Sequence, residues 1–377
     1  MPIRVAVAKE TLPGENRVAL DPTVAQRFTK LGVEVFMEKG AGTGAHYHDE
    51  DYIGVTFVED KAELLGSADI WFKVQPPTEE EIGLLREGAV LIGMLMPYKY
   101  PQRVRLLSER RITSFAMELI PRISRAQSMD VLSSQAAVAG YKASIMAADR
   151  TGRFFPMLTT AAGTIRPAKV LVIGAGVAGL QAIATAKRLG AIVEGYDVRS
   201  ATREQVESLG AKFVDTGVSA EGEGGYAREL TEEEKRQQLE VLARHVTQAD
   251  AVITTAAIPG KPSPKIITAE MVENMKVGSV IIDLAAEGGG NCELTHPGEE
   301  YVSGCVTIYG PINVPSMLPV HASEMYAKNL LNFISPMIEE GELKLDWEDE
   351  VIRDSVLTHE GEIRHQPTRA LVEGEAS

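Results

Sequence analysis

Along most of this chain, short apolar runs alternate with stretches of helix length, which is the signature of strand–helix units built around a parallel sheet. In the N-terminal third the runs predict strands at Arg4–Ala8, Val33–Met37, Asp69–Val74, Ala89–Gly93 and Thr113–Met117. Amphipathic helices are expected between them at Thr23–Leu31, Glu79–Leu85 and Gln102–Arg110. Met129–Asp149 then carries a long helical pattern of good helix formers without proline, suited to joining two sheets.

After a loop from Pro156 to Pro167 the alternation resumes. Strands are expected at Lys169–Ile173, Ile192–Asp197, Ala211–Val214, Ala251–Thr255, Ser279–Leu284 and Thr307–Tyr309, with helices at Val177–Leu189, Thr202–Leu209 and Glu232–Val246. Met317–Ile338 reads as a second long helix that crosses back. The acidic stretch from Glu339 is expected to dock at Leu343–Trp347 and to fray at its end. The fold class that follows is α/β: two Rossmann-like, doubly wound parallel-sheet domains separated by a cleft and joined by long helices. Residues 1–130 plus 325–377 would form a discontinuous first domain, and residues 131–324 the second.

A length of 377 residues suits two lobes better than one core, at roughly 150 residues per domain. The 53 acids against 38 bases give a net charge of −15, which excludes a broad nucleic-acid footprint. Cys292 and Cys305 make neither a disulfide framework nor a thiolate zinc site and are expected as reduced thiols. The N-terminus lacks the features of a secretory signal. No run approaches the roughly 18 apolar residues of a membrane helix, so direct membrane insertion is not expected.

The densest chemistry lies where Lys169–Ile173 runs into Gly174-Ala175-Gly176-Val177-Ala178-Gly179 and an apolar helix. Gly174 permits a tight turn, Gly176 a close approach of backbone to a pyrophosphate, and Gly179 tight packing of helix on strand. The helix N-terminus adds free N–H groups and partial positive charge. The next strand ends at Asp197, 18 residues past Gly179, where a carboxylate bonds both ribose hydroxyls of NAD and repels the 2′-phosphate of NADP. Arg199 softens that repulsion. A lone glycine pattern also fits a ligand-free turn, but strand, loop, helix, second strand and terminal acid together point to dinucleotide binding.

Other segments are more open. Gly40-Ala41-Gly42-Thr43-Gly44-Ala45 lacks the same context and reads as a structural loop, and the His46–Asp51 stretch after it has no metal-ligand spacing, so no metal is expected. The loop Ile120–Asp130 is rich in donors and acceptors and leaves a strand's carboxyl end. Arg122 there suits a phosphate, and Gln127, Asp130 and Ser133 suit a carboxamide and a ribose. Helix capping by Ser128 or Asp130, with solvated arginines, fits the spacing equally. Gly222, Gly224, Gly225 and Tyr226 form either a disordered surface loop, which the composition favours, or a mobile lid. None of the seven histidines sits in a catalytic motif, and His321 reads as packed or capping. An NAD site without an acid–base pair suits direct hydride transfer, which needs closeness of two rings.

These residues resemble the NAD(H)-binding component, domain I, of proton-translocating NAD(P) transhydrogenases, with alanine dehydrogenase as a more distant relative. The resemblance runs over essentially the whole chain. It includes Lys9-Glu10, Glu15-Asn16-Arg17-Val18-Ala19, the Arg122–Asp130 loop, Gly174–Gly179 with Asp197-Val198-Arg199, Gly224-Gly225-Tyr226, Thr254–Pro262 and Asp346-Trp347-Glu348-Asp349-Glu350.

The resemblance implies that the chain binds NAD(H), that a partner component holds NADP(H) as second substrate, and that a membrane component couples hydride transfer to proton movement. It assigns Arg122, Gln127 and Asp130 to the reacting end, with Ile123, Ser124 and Ser133 beside them. Gln127 would touch the incoming NADP(H) ribose. It makes the Gly225–Tyr226 segment a lid and adds Val177, Val198, Arg199, Gln238 and Ala257 as nucleotide contacts. A homodimer is implied, cytoplasmic and held on the inner face of the plasma membrane through its partner subunits.

An NAD-dependent alanine dehydrogenase is the alternative. Arg17 and Lys73 match that family's substrate-binding pair, but its catalytic histidine aligns with Met96 and its catalytic aspartate with Glu287. Methionine cannot carry the proton that amino-acid oxidation releases. A non-catalytic NAD-sensing module is the third reading.

Overall fold

The computed structural model of the protein describes residues 2–220, 228, 230–257, 262–339 and 341–374. The chain divides into two compact units, residues 1–135 with 316–377 and residues 136–315. The breaks fall after Gln135 and Pro315, whereas the sequence pattern places them after 130 and 324.

In the first unit, strands β1 (Arg4–Val7), β2 (Glu34–Glu38), β3 (Val55–Val58), β4 (Ile70–Phe72), β5 (Val90–Gly93) and β6 (Thr113–Ala116) pair in parallel in the order β3-β2-β1-β4-β5-β6. β4, β5 and β6 are buried along their whole length, as strands covered on both faces must be. Alternate side chains feed two cores. Val5, Val7, Phe72, Ile92 and Phe115 pack with Tyr326, Leu330 and Phe333, while Ala6, Trp71 and Leu91 meet Leu64, Ile82 and Leu107. The strand order turns back between β1 and β4, which makes the sheet doubly wound. β3 escapes the sequence reading because it is a short edge strand with no fully buried side chain.

The second unit repeats the plan. A hairpin, β7 (Leu158–Thr160) and β8 (Gly163–Ile165), precedes β9 (Lys169–Ile173), β10 (Ile192–Tyr196), β11 (Lys212–Phe213), β12 (Ala251–Thr254), β13 (Val280–Asp283), β14 (Glu300–Ser303) and β15 (Val306–Tyr309). The main sheet runs β11-β10-β9-β12-β13-β15-β14, parallel except for β14. Here the order turns back between β9 and β12.

The long helix spans Val131–Arg150, starting just after the expected Met129, and a 3₁₀ segment, Ser124–Met129, precedes it. Its later part lies against the helix Val177–Arg188: Ser144 donates to the Ala182 carbonyl at 2.8 Å, and a Cβ on Gly140 would lie 2.0 Å from the Ala178 carbonyl oxygen. The second long helix is shorter than expected, Pro319–Ile334. Pro319 starts it, and Pro336 lies in the 3₁₀ turn Ser335–Met337 that ends it, because proline offers no N–H to continue the ladder.

The tail does more than dock and fray. After a small hairpin of β16 (Ile338–Glu339) and β17 (Glu342–Leu343), β18 (Val356–His359) lies antiparallel beside β6, and β19 (Glu362–Ile363) pairs with it. The first sheet thus has eight strands, and a final helix, Gln366–Glu373, follows.

Candidate functional site

Backbone bonds bring the ends of β9, β10 and β12 together. Gly174 N–H donates to the Tyr196 carbonyl and Thr255 N–H to the Ile173 carbonyl, each at 2.8 Å. Gly174 has φ +93, and a Cβ there would lie 2.6 Å from Thr255 Oγ1. A Cβ on Gly179 would lie 1.7 Å from the Gly174 carbonyl oxygen, so helix and loop pack with no room for a methyl. Gly176 is different: among the described residues its Cβ position has no neighbour within 4 Å. It is the N-cap of the helix Val177–Arg188 and, being glycine, has no side chain to cap it, and Val177 is exposed. An open space above a helix N-terminus whose N-cap has no side chain fits a diphosphate.

Asp197, buried at the end of β10, is already well engaged. Oδ2 accepts from Ala175 N–H and Arg199 Nη2, each at 2.7 Å, and Oδ1 accepts from Arg199 N–H at 2.9 Å and Nε at 2.8 Å. The carboxylate therefore ties the glycine loop to Arg199, beyond the ribose role expected of it. The Val198 carbonyl accepts from Ala220 N–H at 2.8 Å. Gln238 is buried and donates to the Tyr196 hydroxyl at 2.8 Å, so it braces the end of β10. Ala257 is exposed just past β12. Gly222, Gly224, Gly225 and Tyr226 lie outside the described residues.

Arg122, Ile123, Ser124, Gln127, Asp130 and Ser133 belong to the first unit. Asp130 accepts from Ser133 N–H at 2.9 Å and Ser133 Oγ at 2.6 Å, so it caps the long helix. Ser128 contributes its carbonyl instead, which accepts from Asn329 at 2.8 Å and Asn332 at 3.1 Å. Arg125 pairs with Asp349 and lies 3.7 Å from Glu350. Anchored this way, the loop presents Arg122, Ser124 and Gln127 on the surface.

Sequence reasoning missed a buried ion network at the carboxyl ends of β1 and β4. Arg17 pairs with Glu15 at 2.7 Å and donates to Gln135 at 2.9 Å, while Lys73 lies 3.0 Å from Glu10 and 3.5 Å from Glu81. Gln75 also donates to Glu15 at 2.7 Å. Burial alone would push Glu15 up, but Arg17 and Gln75 hold it down to about 2. Burial outweighs Lys73 at Glu10 and raises it. The two cations that match an alanine dehydrogenase's substrate pair are thus each matched by carboxylates of the chain itself. Glu118 accepts from Leu95 N–H at 2.9 Å and Met96 N–H at 2.5 Å, and burial pushes its carboxyl up to about 7. The Glu15-x-Arg17 spacing was a readable signal, whereas nothing local marks Glu118.

The first glycine cluster is structural, since Cβ atoms on Gly42 and Gly44 would lie 2.8 Å from Tyr52 Oη and 2.9 Å from the Asn16 carbonyl oxygen. His321 is exposed in the first turn of its helix, neither packed nor capping. Cys292 is buried and Cys305 exposed, both free. Among the described residues, no three His, Cys, Asp or Glu side chains are grouped to hold a metal, and no helix is long and apolar enough to cross a membrane.

Two family profiles divide the chain between them: alanine dehydrogenase/PNT, N-terminal domain, over residues 6–139, and alanine dehydrogenase/PNT, C-terminal domain, over residues 143–366. The chain belongs to the alanine dehydrogenase/PNT family. It is 50% identical over 376 residues to an NAD(P) transhydrogenase subunit alpha chain of Rhodospirillum rubrum, covering 96% of this chain and 98% of that one. The solved structure of a transhydrogenase from Sinorhizobium meliloti superposes with a TM-score of 0.87 at 45% identity, covering 96% of this chain and 99% of that one. An L-alanine dehydrogenase structure shares the fold, with a TM-score of 0.80 at 23% identity over 99% of this chain and all of the other.

Proposed function

We propose that this chain is the NAD(H)-binding subunit of a proton-translocating NAD(P) transhydrogenase. In this reading it passes hydride between NADH and NADP⁺ held on a partner component, and a separate membrane component couples the transfer to proton movement. The observation that carries the reading is Gly176: among the described residues, open space over a helix N-terminus whose N-cap has no side chain, next to the tightly closed Gly174 and Gly179. The names of the relatives at 50% and 45% identity supply the reaction class.

The nicotinamide ring supplies the transferable hydride when the nucleotide is bound. The chain's own residues bind and orient. The N–H groups at the start of the Val177–Arg188 helix hold the diphosphate, and Asp197 with Val198 and Arg199 holds the adenosine ribose. Gln238 braces that wall through Tyr196. Ala257 lies on the opposite side of the strand-order reversal. We assign Arg122, Gln127 and Asp130, flanked by Ile123, Ser124 and Ser133, to the nicotinamide end, and Gly225 with Tyr226 to closure over the nucleotide. Transfer between two rings needs approach and alignment, and no acid or base.

We further propose a cytoplasmic homodimer, held at the inner face of the plasma membrane through its partner subunits. The β7–β8 hairpin supports the dimer: all its residues are exposed, and Phe154, Met157, Leu158 and Ile165 place apolar surface there.

The purified chain is expected to bind NADH much more tightly than NADPH in a fluorescence titration, and Asp197→Ala to narrow the gap. Equal wild-type affinities would remove the ribose argument. Mixed with the NADP-binding component, the chain is expected to support hydride exchange from NADH to an NADP⁺ analogue and to leave L-alanine unoxidised. Alanine oxidation would favour the dehydrogenase alternative, and binding without transfer the sensing one.

A further inference from the structure

Thr255, Ala256 and Ala257 form the limb that follows β12 and faces the glycine loop, with Thr255 Oγ1 donating to the Gly174 carbonyl at 3.0 Å. The strand order turns back between β9 and β12, and in such sheets a dinucleotide lies across that point. Asp197, the ribose acid, sits on the β10 side and claims the adenosine half. The β12 limb is left with the nicotinamide half.

A buried side chain braces that limb from behind. Asn291, fully buried, accepts from Ala256 N–H at 3.0 Å and donates back to the Ala256 carbonyl at 2.8 Å. Its amide donates a further bond to the Pro264 carbonyl at 2.9 Å. The carboxamide therefore meets Ala256 as a neighbouring strand would, donor to acceptor and acceptor to donor. Asn291 is itself fixed, because its backbone carbonyl accepts from Ile266 N–H at 2.8 Å and Ile267 N–H at 3.0 Å. Next to it, Cys292 N–H donates to Asp283 Oδ2 at 3.0 Å, and Asp283 Oδ1 accepts from Thr254 at the end of β12 at 2.8 Å. Only a side chain with a donor and an acceptor in one short plane makes this clamp. Aspartate loses both donated bonds, and glutamine is a methylene too long.

We propose that Asn291 is a positioning residue for the nicotinamide half of the nucleotide and acts through Ala256. The inference rests on the nucleotide site proposed above and deepens it: one wall of the crevice is set by a side chain outside the glycine loop, and that wall serves one half of the ligand.

The test titrates the full chain, wild type and Asn291→Asp, with NADH and separately with AMP, which carries the adenosine half alone. Asn291→Ser, shorter but still able to donate and accept, is the milder companion variant. The expected result is an NADH affinity lowered about tenfold, the scale of one or two misplaced hydrogen bonds, with AMP affinity within about twofold of wild type. Parallel loss of both ligands, unchanged NADH binding, or failure of both variants to fold by circular dichroism would overturn the positioning role and leave Asn291 purely structural. Wild-type chain that binds neither NADH nor AMP would overturn the nucleotide site itself, and this inference with it.

Discussion

Gly174, Gly176 and Gly179 share one loop, yet substitution is expected to separate them. In Gly179→Ala the new methyl lies 1.7 Å from the Gly174 carbonyl oxygen, so helix and loop must part and both the melting temperature and NADH binding fall. In Gly176→Ala the methyl meets no atom of the described residues within 4 Å. Stability should then change by about 1 kcal/mol or less, the scale of a helix N-cap change, while NADH affinity drops about tenfold or more. Thermal melts with calorimetric titration check both, and a Gly176→Ala protein that binds like wild type would move the diphosphate elsewhere. A second contrast concerns Glu15. Its replacement by alanine leaves the buried Arg17 guanidinium without its carboxylate, a loss on the order of 3–5 kcal/mol in urea unfolding. A loss under about 1 kcal/mol would mean that Arg17 finds another carboxylate or water.

Among the elements, the ones legible in the sequence are those whose signal is local. β9, the glycine loop and the following helix announce themselves within one short stretch, because apolar run, turn glycines and helix share it. β18 does not. Its Val356, Leu357 and Thr358 are buried because the fold sets them beside β6, far away along the chain, with Val356 in one core and Leu357 in the other. The same holds in the candidate site: Asp197 was legible from spacing, whereas Asn291 and Glu118 owe their roles to backbone groups that only the fold brings near. Removal of residues 356–374 should therefore unfold the first unit. Burial of Val356 and Leu357 alone contributes on the order of 3–6 kcal/mol. Hydrogen exchange should then speed up in β1, β4, β5 and β6 while β9, β12 and β13 stay protected. Unchanged protection in β6 would show that the tail is dispensable.

At the level of the whole molecule, the buried acids give stability an unusual dependence on pH. Below the ordinary value of 4.5, Glu118 is protonated in both folded and unfolded chains. Between 4.5 and about 7 the unfolded chain releases a proton that the folded one keeps, so stability falls as pH rises through that window, by an amount on the order of 3 kcal/mol. Glu10, also raised, adds in the same direction. Glu15 works the other way: its contribution is full above 4.5 and is lost as pH falls toward about 2. Glu118→Gln should flatten the neutral limb of a denaturation-versus-pH curve and leave the acid limb intact. An unaltered neutral limb would place the titration elsewhere.

The pairing of β18 with β6 also constrains how the protein is made. The second unit is one uninterrupted stretch, so it can condense as soon as residue 315 clears the ribosome exit tunnel. The sheet of the first unit must wait with one side uncovered until residue 359 emerges. For that interval of translation the nascent chain carries a finished insert inside an unfinished host, and the uncovered side of β6 is where a chaperone would be needed.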